Sequence, residues 1–174
     1  MNRRAAALAG AREGAAEEPD GQTRLPMNPK LRRLILALLK GHELMRLATV
    51  RPDGYPQVTT VTYANDGLDI YFACDAASQK LRNIAKTRKV SLAIDRDCPD
   101  WNCIKGLSMA ATASVLKDPK AIKRALRLLG QKFPQMAALS GEDLAGTALV
   151  KVVPKVISII DYTRGFGHTD LVRV

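Results

Sequence analysis

The chain has few aromatic residues, few cysteines and no long apolar run. Aromatic residues make up 5% of its 174 residues, and its phenylalanines fall in separate segments as Phe72, Phe133 and Phe166. The sequence therefore shows no basic-aromatic pattern for stacking on nucleic-acid bases. Because no segment approaches the about 20 apolar residues of a membrane-spanning helix, we also expect no membrane span.

Cysteine and histidine are scarce as well. The odd cysteine count, at Cys74, Cys98 and Cys103, predicts reduced thiols in the cytoplasm rather than a disulfide framework. Cys98 and Cys103 lack the Cys-x-x-Cys spacing of disulfide exchange, although a redox pair stays an alternative. With only His42 and His168 to add, a zinc site would have to recruit scattered residues, so we expect no metal site.

The composition fits one compact domain with an excess of positive charge. Its apolar content of 47% is ordinary, and its formal charge of +10 favours anionic partners. A phosphorylated cofactor is one such partner. A basic nucleic-acid-binding protein is a further alternative, which salt-sensitive DNA binding would support. Residues 1–27 contain few large apolar side chains and are predicted to be a flexible extension, leaving residues 28–174 as the domain.

Two helices are marked by an N-cap residue followed by proline in the first turn. The first begins at Asn28 and ends at Gly41, with an apolar stripe at helical spacing between them. The second begins at Asp118 and ends at Gly130. Both stripes predict packing against a sheet, with lysine and arginine on the opposite face.

Strand signals dominate the rest of the chain. Two Asp-Gly turns separate the first three segments, which predicts three antiparallel strands paired in a row. In the second strand, Thr60 and Thr62 then share one face, and Thr59 and Val61 the other. Pro154 predicts a bend between the last two strands. The predicted strands cover residues 45–50, 57–63, 68–73, 90–95, 149–153 and 156–161.

A third helix begins after the third strand, with Ser78 as its N-cap. Its first amides are unpaired and carry the positive end of the helix dipole, which favours an anion. Lys80 in the first turn opposes that dipole, and an anionic ligand would reconcile the two. Taken alone, Ser-x-Lys equally fits an ordinary surface helix with a solvated lysine.

The order of these elements resembles the pyridoxamine 5'-phosphate oxidase-like family. The resemblance is strongest over residues 47–95, with residues 106–116 as a second anchor and a similar ending at residues 161–170. It implies a mainly β (α+β) fold, a six-stranded antiparallel split β-barrel with flanking helices. It also implies a cytoplasmic homodimer with two FMN molecules at the subunit interface, acting as an FMN-dependent oxidoreductase on a small-molecule substrate that the sequence does not identify.

The resemblance also implies which residues bind the flavin. Strand residues would line it, and the helix start would hold its phosphate: Thr59, Thr60, Val61, Thr62, Phe72, Ala73, Ser78, Gln79 and Lys80. The chain has Thr59 and Ala64 where the vitamin B6 oxidase has basic residues, and it has Gly106 where that enzyme has a glutamine. The alternatives are therefore weaker FMN binding, binding of a deazaflavin, or a module that binds haem or flavin without turnover.

Trp101 and His168 complete the predicted site. Trp101, the single tryptophan, borders the flavin edge in this family and would cover the ring; packing on the barrel rim is the alternative. His168 would reach the flavin across the dimer, or would hydrogen-bond a backbone carbonyl. Because the arginine and histidine cluster of the vitamin B6 oxidase is missing from this C-terminus, we do not expect pyridoxamine phosphate as the substrate.

Overall fold

The computed structural model describes residues 27–137, 141 and 144–174. Within these ranges the strands are β1 (Leu44–Val50), β2 (Pro56–Thr62), β3 (Ala64–Asp66), β4 (Asp69–Asp75), β5 (Lys89–Ile94), β6 (Lys105–Val115), β7 (Thr147–Asp161) and β8 (Thr169–Arg173). The helices are α1 (Pro29–Gly41), α2 (Gln79–Lys86), α3 (Pro119–Lys132) and α4 (Pro134–Ala137). Of the predicted N-terminal extension, residues 1–26 lie outside the described residues.

The strands form one antiparallel sheet in the order β2-β1-β5-β6-β7-β4-β3, with β8 paired to β7. Strands β2 and β4 also contact each other, so the sheet curls toward itself. The mainly β, antiparallel prediction is confirmed. The count of six strands is wrong, because the described residues contain eight. The sequence did not predict the three-residue β3 or the C-terminal β8.

The predicted row of three paired strands is also wrong. The hairpin of β1 and β2 forms as expected, with Arg46 opposite Thr60. Strand β4 instead pairs with β7, and the turn after Asp66 joins β3 to β4. The chain leaves β2 at Tyr63, whose side chain is fully buried and whose hydroxyl donates to the Leu39 carbonyl at 2.8 Å. Tyr63 therefore anchors the chain at the point where it leaves β2.

Pro154 lies inside β7, which is one continuous strand of 15 residues. The register against β6 shifts there: Ala110 faces Val156, and Ala111 faces Pro154. Lys155 is the extra residue and is exposed. The predicted bend is therefore a β-bulge, which accommodates a residue that cannot donate to the ladder.

The two proline-initiated helices begin as predicted. The side chain of Asn28 accepts from the Lys30 amide at 2.9 Å, and that of Asp118 accepts from the Ala121 amide at 2.9 Å. Helix α1 buries Ile35 and Leu39 against the sheet. Helix α3 continues past Gly130 to Lys132, whose ammonium donates to carbonyls near the end of α1, those of Leu39 and His42.

The cysteine prediction needs a correction. Cys98 and Cys103 form a disulfide, while Cys74 is a free thiol. A 3-10 turn at Trp101–Cys103 folds the segment back and brings the two Cα atoms to 6.2 Å, within the range that a disulfide spans. Within the described ranges, no helix has the length and apolarity needed to cross a membrane.

Candidate cofactor-binding site

Helix α2 begins after Ser78, as the sequence predicted. Ser78 occupies the N-cap position with extended backbone, but its side chain makes no cap hydrogen bond to the first-turn amides. The Ser78 hydroxyl lies 3.7 Å from the Cys74 sulfur instead. Uncapped amides at the positive end of a helix favour an anion. Lys80 is half-buried there and belongs to no ion pair among the residues that the structure describes.

Gln79 and Arg82 bond to each other in the first turn of α2. The Arg82 guanidinium donates to the Gln79 side-chain oxygen at 2.7 Å and also to the Ala77 carbonyl. Arg82 is exposed, but these contacts hold its side chain against the helix start.

A buried amide joins α2 to the first hairpin. Asn83 is fully buried, and its side-chain nitrogen donates to Thr49 at 3.0 Å and to Gln57 at 3.1 Å. Sequence analysis missed this residue. Its signal is an asparagine beside Ile84 on the inner face of an amphipathic helix, since buried polar groups need partners.

The threonines of β2 alternate as predicted. Thr60 and Thr62 are exposed on the outer face, together with Val58. Thr59 and Val61 are half-buried on the inner face, and Val61 packs against the core. The Thr59 hydroxyl is buried and has no hydrogen-bond partner among the described residues. An orphaned hydroxyl beside the hairpin leaves a polar group for a ligand to satisfy.

The other positions considered for the flavin site differ in how far their side chains are exposed. Phe72 is fully buried in the core, so its side chain supports the sheet from behind and has no surface for a ligand. Its neighbour Ala73 is half-buried. Gly106 is buried, and a Cβ there would lie 2.8 Å from the Ile94 carbonyl oxygen. The position therefore has no room for the glutamine that the vitamin B6 oxidase has there.

Trp101 belongs to an exposed aromatic cluster. It packs edge-to-face on Phe166 with 5.5 Å between ring centres, and Tyr162 lies 5.4 Å from Phe166. Trp101 is 65% exposed and Phe166 is 78% exposed. The sequence places these rings in separate segments. They meet because Lys105 pairs with Asp161 at the ends of β6 and β7, a contact with no signal in the linear spacing.

His168 lies in the adjacent C-terminal turn. Its Nε2 is 3.3 Å from an oxygen of Asp170, and Arg164 donates to the same oxygen at 2.5 Å. The hydrogen bond with His168 is the main cause that lowers the pKa of Asp170; partial burial opposes it, and Arg164 lowers the pKa further. The ring therefore bonds a carboxylate, not the backbone carbonyl of our alternative. Whether it contacts a flavin stays a prediction.

The predicted residues form two groups at opposite ends of β5. Helix α2 leads into β5, and the disulfide loop with Trp101 follows it. At about 3.3 Å per residue, this strand separates the two ends by roughly 20 Å. Helix α2 is bonded to the β1–β2 hairpin through Asn83, and its Ser78 lies near Cys74 of β4. Ala73 packs with residues of α3 instead, and Trp101 and His168 lie beyond the other end of β5 within one copy.

A groove of about 550 Å³ follows the outer face of the sheet. Small side chains from four strands form its floor, and Lys89 and Lys155 lie at its margins. The floor includes Ala48, Ser91, Ala110, Thr112 and Val156. No aromatic side chain lines this groove among the residues that the structure describes.

Comparison with known proteins agrees with the fold. Residues 31–161 match the family model described as pyridoxamine 5'-phosphate oxidase. A Listeria innocua protein provisionally named as that oxidase is 25% identical, with a TM-score of 0.63 over 75% of this chain and 98% of that chain. None of the curated proteins matches the chain.

Two further solved structures share the fold. A heme binding protein from Mycobacterium smegmatis has a TM-score of 0.70 at 15% identity, covering 85% of this chain and 60% of that chain. The heme storage protein HutZ from Vibrio cholerae has a TM-score of 0.58 at 18% identity, covering 76% of this chain and 91% of that chain. At these identities the likeness concerns the fold alone.

Proposed function

Since the chain belongs to the pyridoxamine 5'-phosphate oxidase family, we propose that it is an FMN-dependent oxidoreductase that binds its flavin between two identical subunits. The observation that carries the proposal is the uncapped start of α2, with Ser78 and Lys80 beside the β1–β2 hairpin. It lies where the family resemblance puts the FMN phosphate.

The residues at this helix start fit a phosphate. Ser78 contributes a hydroxyl, the first-turn amides of α2 contribute donors, and Lys80 contributes a positive charge without a carboxylate partner in the described ranges. Charge-assisted hydrogen bonds of this kind are the strong ones. Thr59 adds a buried hydroxyl that lacks a partner. It adds no charge, so we expect weaker FMN binding than in a site with more cations.

The strands would hold the flavin ring. Thr60 and Thr62 of β2 present exposed hydroxyls, whereas the Ala73 side chain packs with residues of α3 and would contribute only the backbone of β4. Phe72 would act only from the core, by fixing the position of β4. When bound, the flavin itself supplies hydride transfer, while the protein supplies orientation and local charge.

A second copy would complete the site. Trp101 and His168 lie at the end of β5 opposite α2. If a twofold axis perpendicular to β5 relates two copies across the groove on the outer sheet face, the Trp101 end of one copy meets the α2 end of the other. The small side chains on that face allow two sheets to approach closely. The separation of the two groups within one chain thus favours a homodimer.

The C-terminal turn argues against a phosphorylated vitamin B6 substrate. Arg164 lies beside His168, but both side chains bond to Asp170 and do not form the arginine and histidine cluster of the vitamin B6 oxidase. The carboxylate offsets the arginine charge and reduces its attraction for a second phosphate. The substrate is therefore expected to be a small molecule without such a group.

A haem-binding module without flavin turnover is the second candidate. It is favoured by the structural similarity to the Mycobacterium smegmatis and Vibrio cholerae haem proteins. Histidine is a common haem ligand, and His168 is the candidate because the His42 ring bonds the Leu38 carbonyl and its other nitrogen is buried. A deazaflavin would occupy the same surface as FMN.

Absorbance titration separates these candidates. Purified protein is mixed in turn with FMN, a deazaflavin and haem, and the complex is sized by gel filtration. We expect bound FMN with its flavin spectrum on a dimeric protein. Colourless protein after incubation with FMN, together with a Soret band that forms on haem addition, would support the haem module. A monomer that binds FMN would reject the shared site.

A further inference from the structure

Asn83 is fully buried, and both polar atoms of its side chain are hydrogen-bonded. Its side-chain nitrogen donates to the Thr49 hydroxyl at 3.0 Å and to the Gln57 side-chain oxygen at 3.1 Å. Its side-chain oxygen accepts from Gln79 at 2.8 Å. Thr49 is itself buried. One amide thus ties the middle of α2 to both strands of the first hairpin.

The same amide also reaches the first turn of α2. Gln79, which donates to Asn83, directly precedes Lys80 and accepts from Arg82. A continuous chain of hydrogen bonds therefore runs from β1 and β2 through Asn83 to the open helix start. A shift of α2 along the hairpin would break it.

Local preference does not explain an asparagine here. Asparagine is less favourable than alanine in a helix interior, and burying an amide without partners is costly. Ile84, the next residue, is buried as well and satisfies the core without any hydrogen bond. Asn83 is thus unfavourable for the helix itself, yet each polar atom of its side chain has a partner. This combination points to a role in holding α2 in place.

We propose that Asn83 is a positioning residue for the phosphate group of the cofactor. It holds the first turn of α2 against β1 and β2, so that the free amides and Lys80 converge with the strand that lines the ring. This inference rests on the proposed function. It predicts an effect on recognition of the phosphate and none on recognition of the ring.

FMN and riboflavin differ only in the phosphate, so their affinity ratio isolates this role. Dissociation constants for both ligands are measured by flavin fluorescence on the full chain, well below the unfolding temperature of each variant. Asn83→Ala removes the amide. Thr49→Val removes one acceptor while keeping the side-chain shape. Ile84→Val, at the neighbouring buried position, is the matched control for simple loosening of the helix.

In Asn83→Ala we expect FMN affinity to fall about tenfold, which corresponds to about 1.4 kcal/mol, with riboflavin affinity within about twofold of wild type. Thr49→Val should move the ratio in the same direction by less, and Ile84→Val should leave it unchanged. Should Asn83→Ala fail to fold, the Thr49→Val ratio decides alone. Equal losses for both ligands, or an unchanged ratio in a folded variant, would overturn the positioning role alone. A wild-type protein that binds neither ligand would overturn the proposed function as well.

Discussion

The ammonium of Lys132 lies 3.9 Å from the centre of the Tyr63 ring. It also donates to the carbonyls of Leu39 and His42, so α3 is joined to the end of α1 over a buried aromatic ring. Cation-π contacts and helix C-terminal carbonyls both favour the charged lysine. Burial works against them: it is the main cause that lowers the pKa of Lys132 to about 8, and the nearby charge of Glu43 offsets this only in part.

This contact predicts a rise in stability at mildly alkaline pH. The pKa of an unfolded lysine is about 10.4, so above pH 8 the unfolded chain binds more protons than the folded one. The free energy of unfolding then rises with pH. Above about pH 10 the trend reverses, because burial raises the pKa of Tyr63 and the unfolded tyrosine ionises first.

Urea unfolding at intervals from pH 7 to 10 tests this. Lys132→Met should remove the rise between pH 8 and 10, whatever its effect on absolute stability. Lys123→Met, at an exposed position of the same helix, should keep the wild-type profile. A wild-type profile that is flat over this interval contradicts the buried lysine.

Gly106→Ala is expected to destabilise the fold. The added Cβ would lie 2.8 Å from the Ile94 carbonyl and 3.1 Å from the Cβ of Asp95, so the ends of β5 and β6 must separate. Overpacking of this kind costs about 1–3 kcal/mol, measurable by urea unfolding. Gly41→Ala is the control, since nothing lies within 4 Å of its new Cβ. Equal stability of the two variants would show that the β5–β6 contact is looser than described.

The disulfide predicts a thiol count. Protein purified without reductant and then unfolded should show one reactive thiol, that of Cys74, and three after reduction. Cys74→Ser should show none before reduction. Three thiols without reduction would mean that Cys98 and Cys103 are not joined.

Features that depend on neighbouring residues were predictable from the sequence. The N-caps at Asn28 and Asp118 and the start of α2 at Ser78 each require one residue type at one position, and the structure has them there. The two faces of β2 follow from strand alternation. Family resemblance added the fold, which the match over residues 31–161 confirms.

Features that depend on distant pairing were not predictable. Strand β4 pairs with β7 and not with β2, and spacing alone does not encode that choice. The contact between Trp101 and Phe166 likewise depends on how β6 and β7 align. The helical spacing of α2 likewise does not identify the partners of Asn83, which lie on two strands distant in sequence.

The most direct test of the proposed phosphate site is the FMN dissociation constant of Lys80→Ala beside that of Lys86→Ala. Both lysines belong to α2, but Lys86 is exposed in its last turn. A charge-assisted hydrogen bond is worth about 1.5–3 kcal/mol, so Lys80→Ala should weaken FMN binding at least about tenfold. Lys86→Ala should bind like wild type. FMN binding that is unchanged in a folded Lys80→Ala protein would contradict the account.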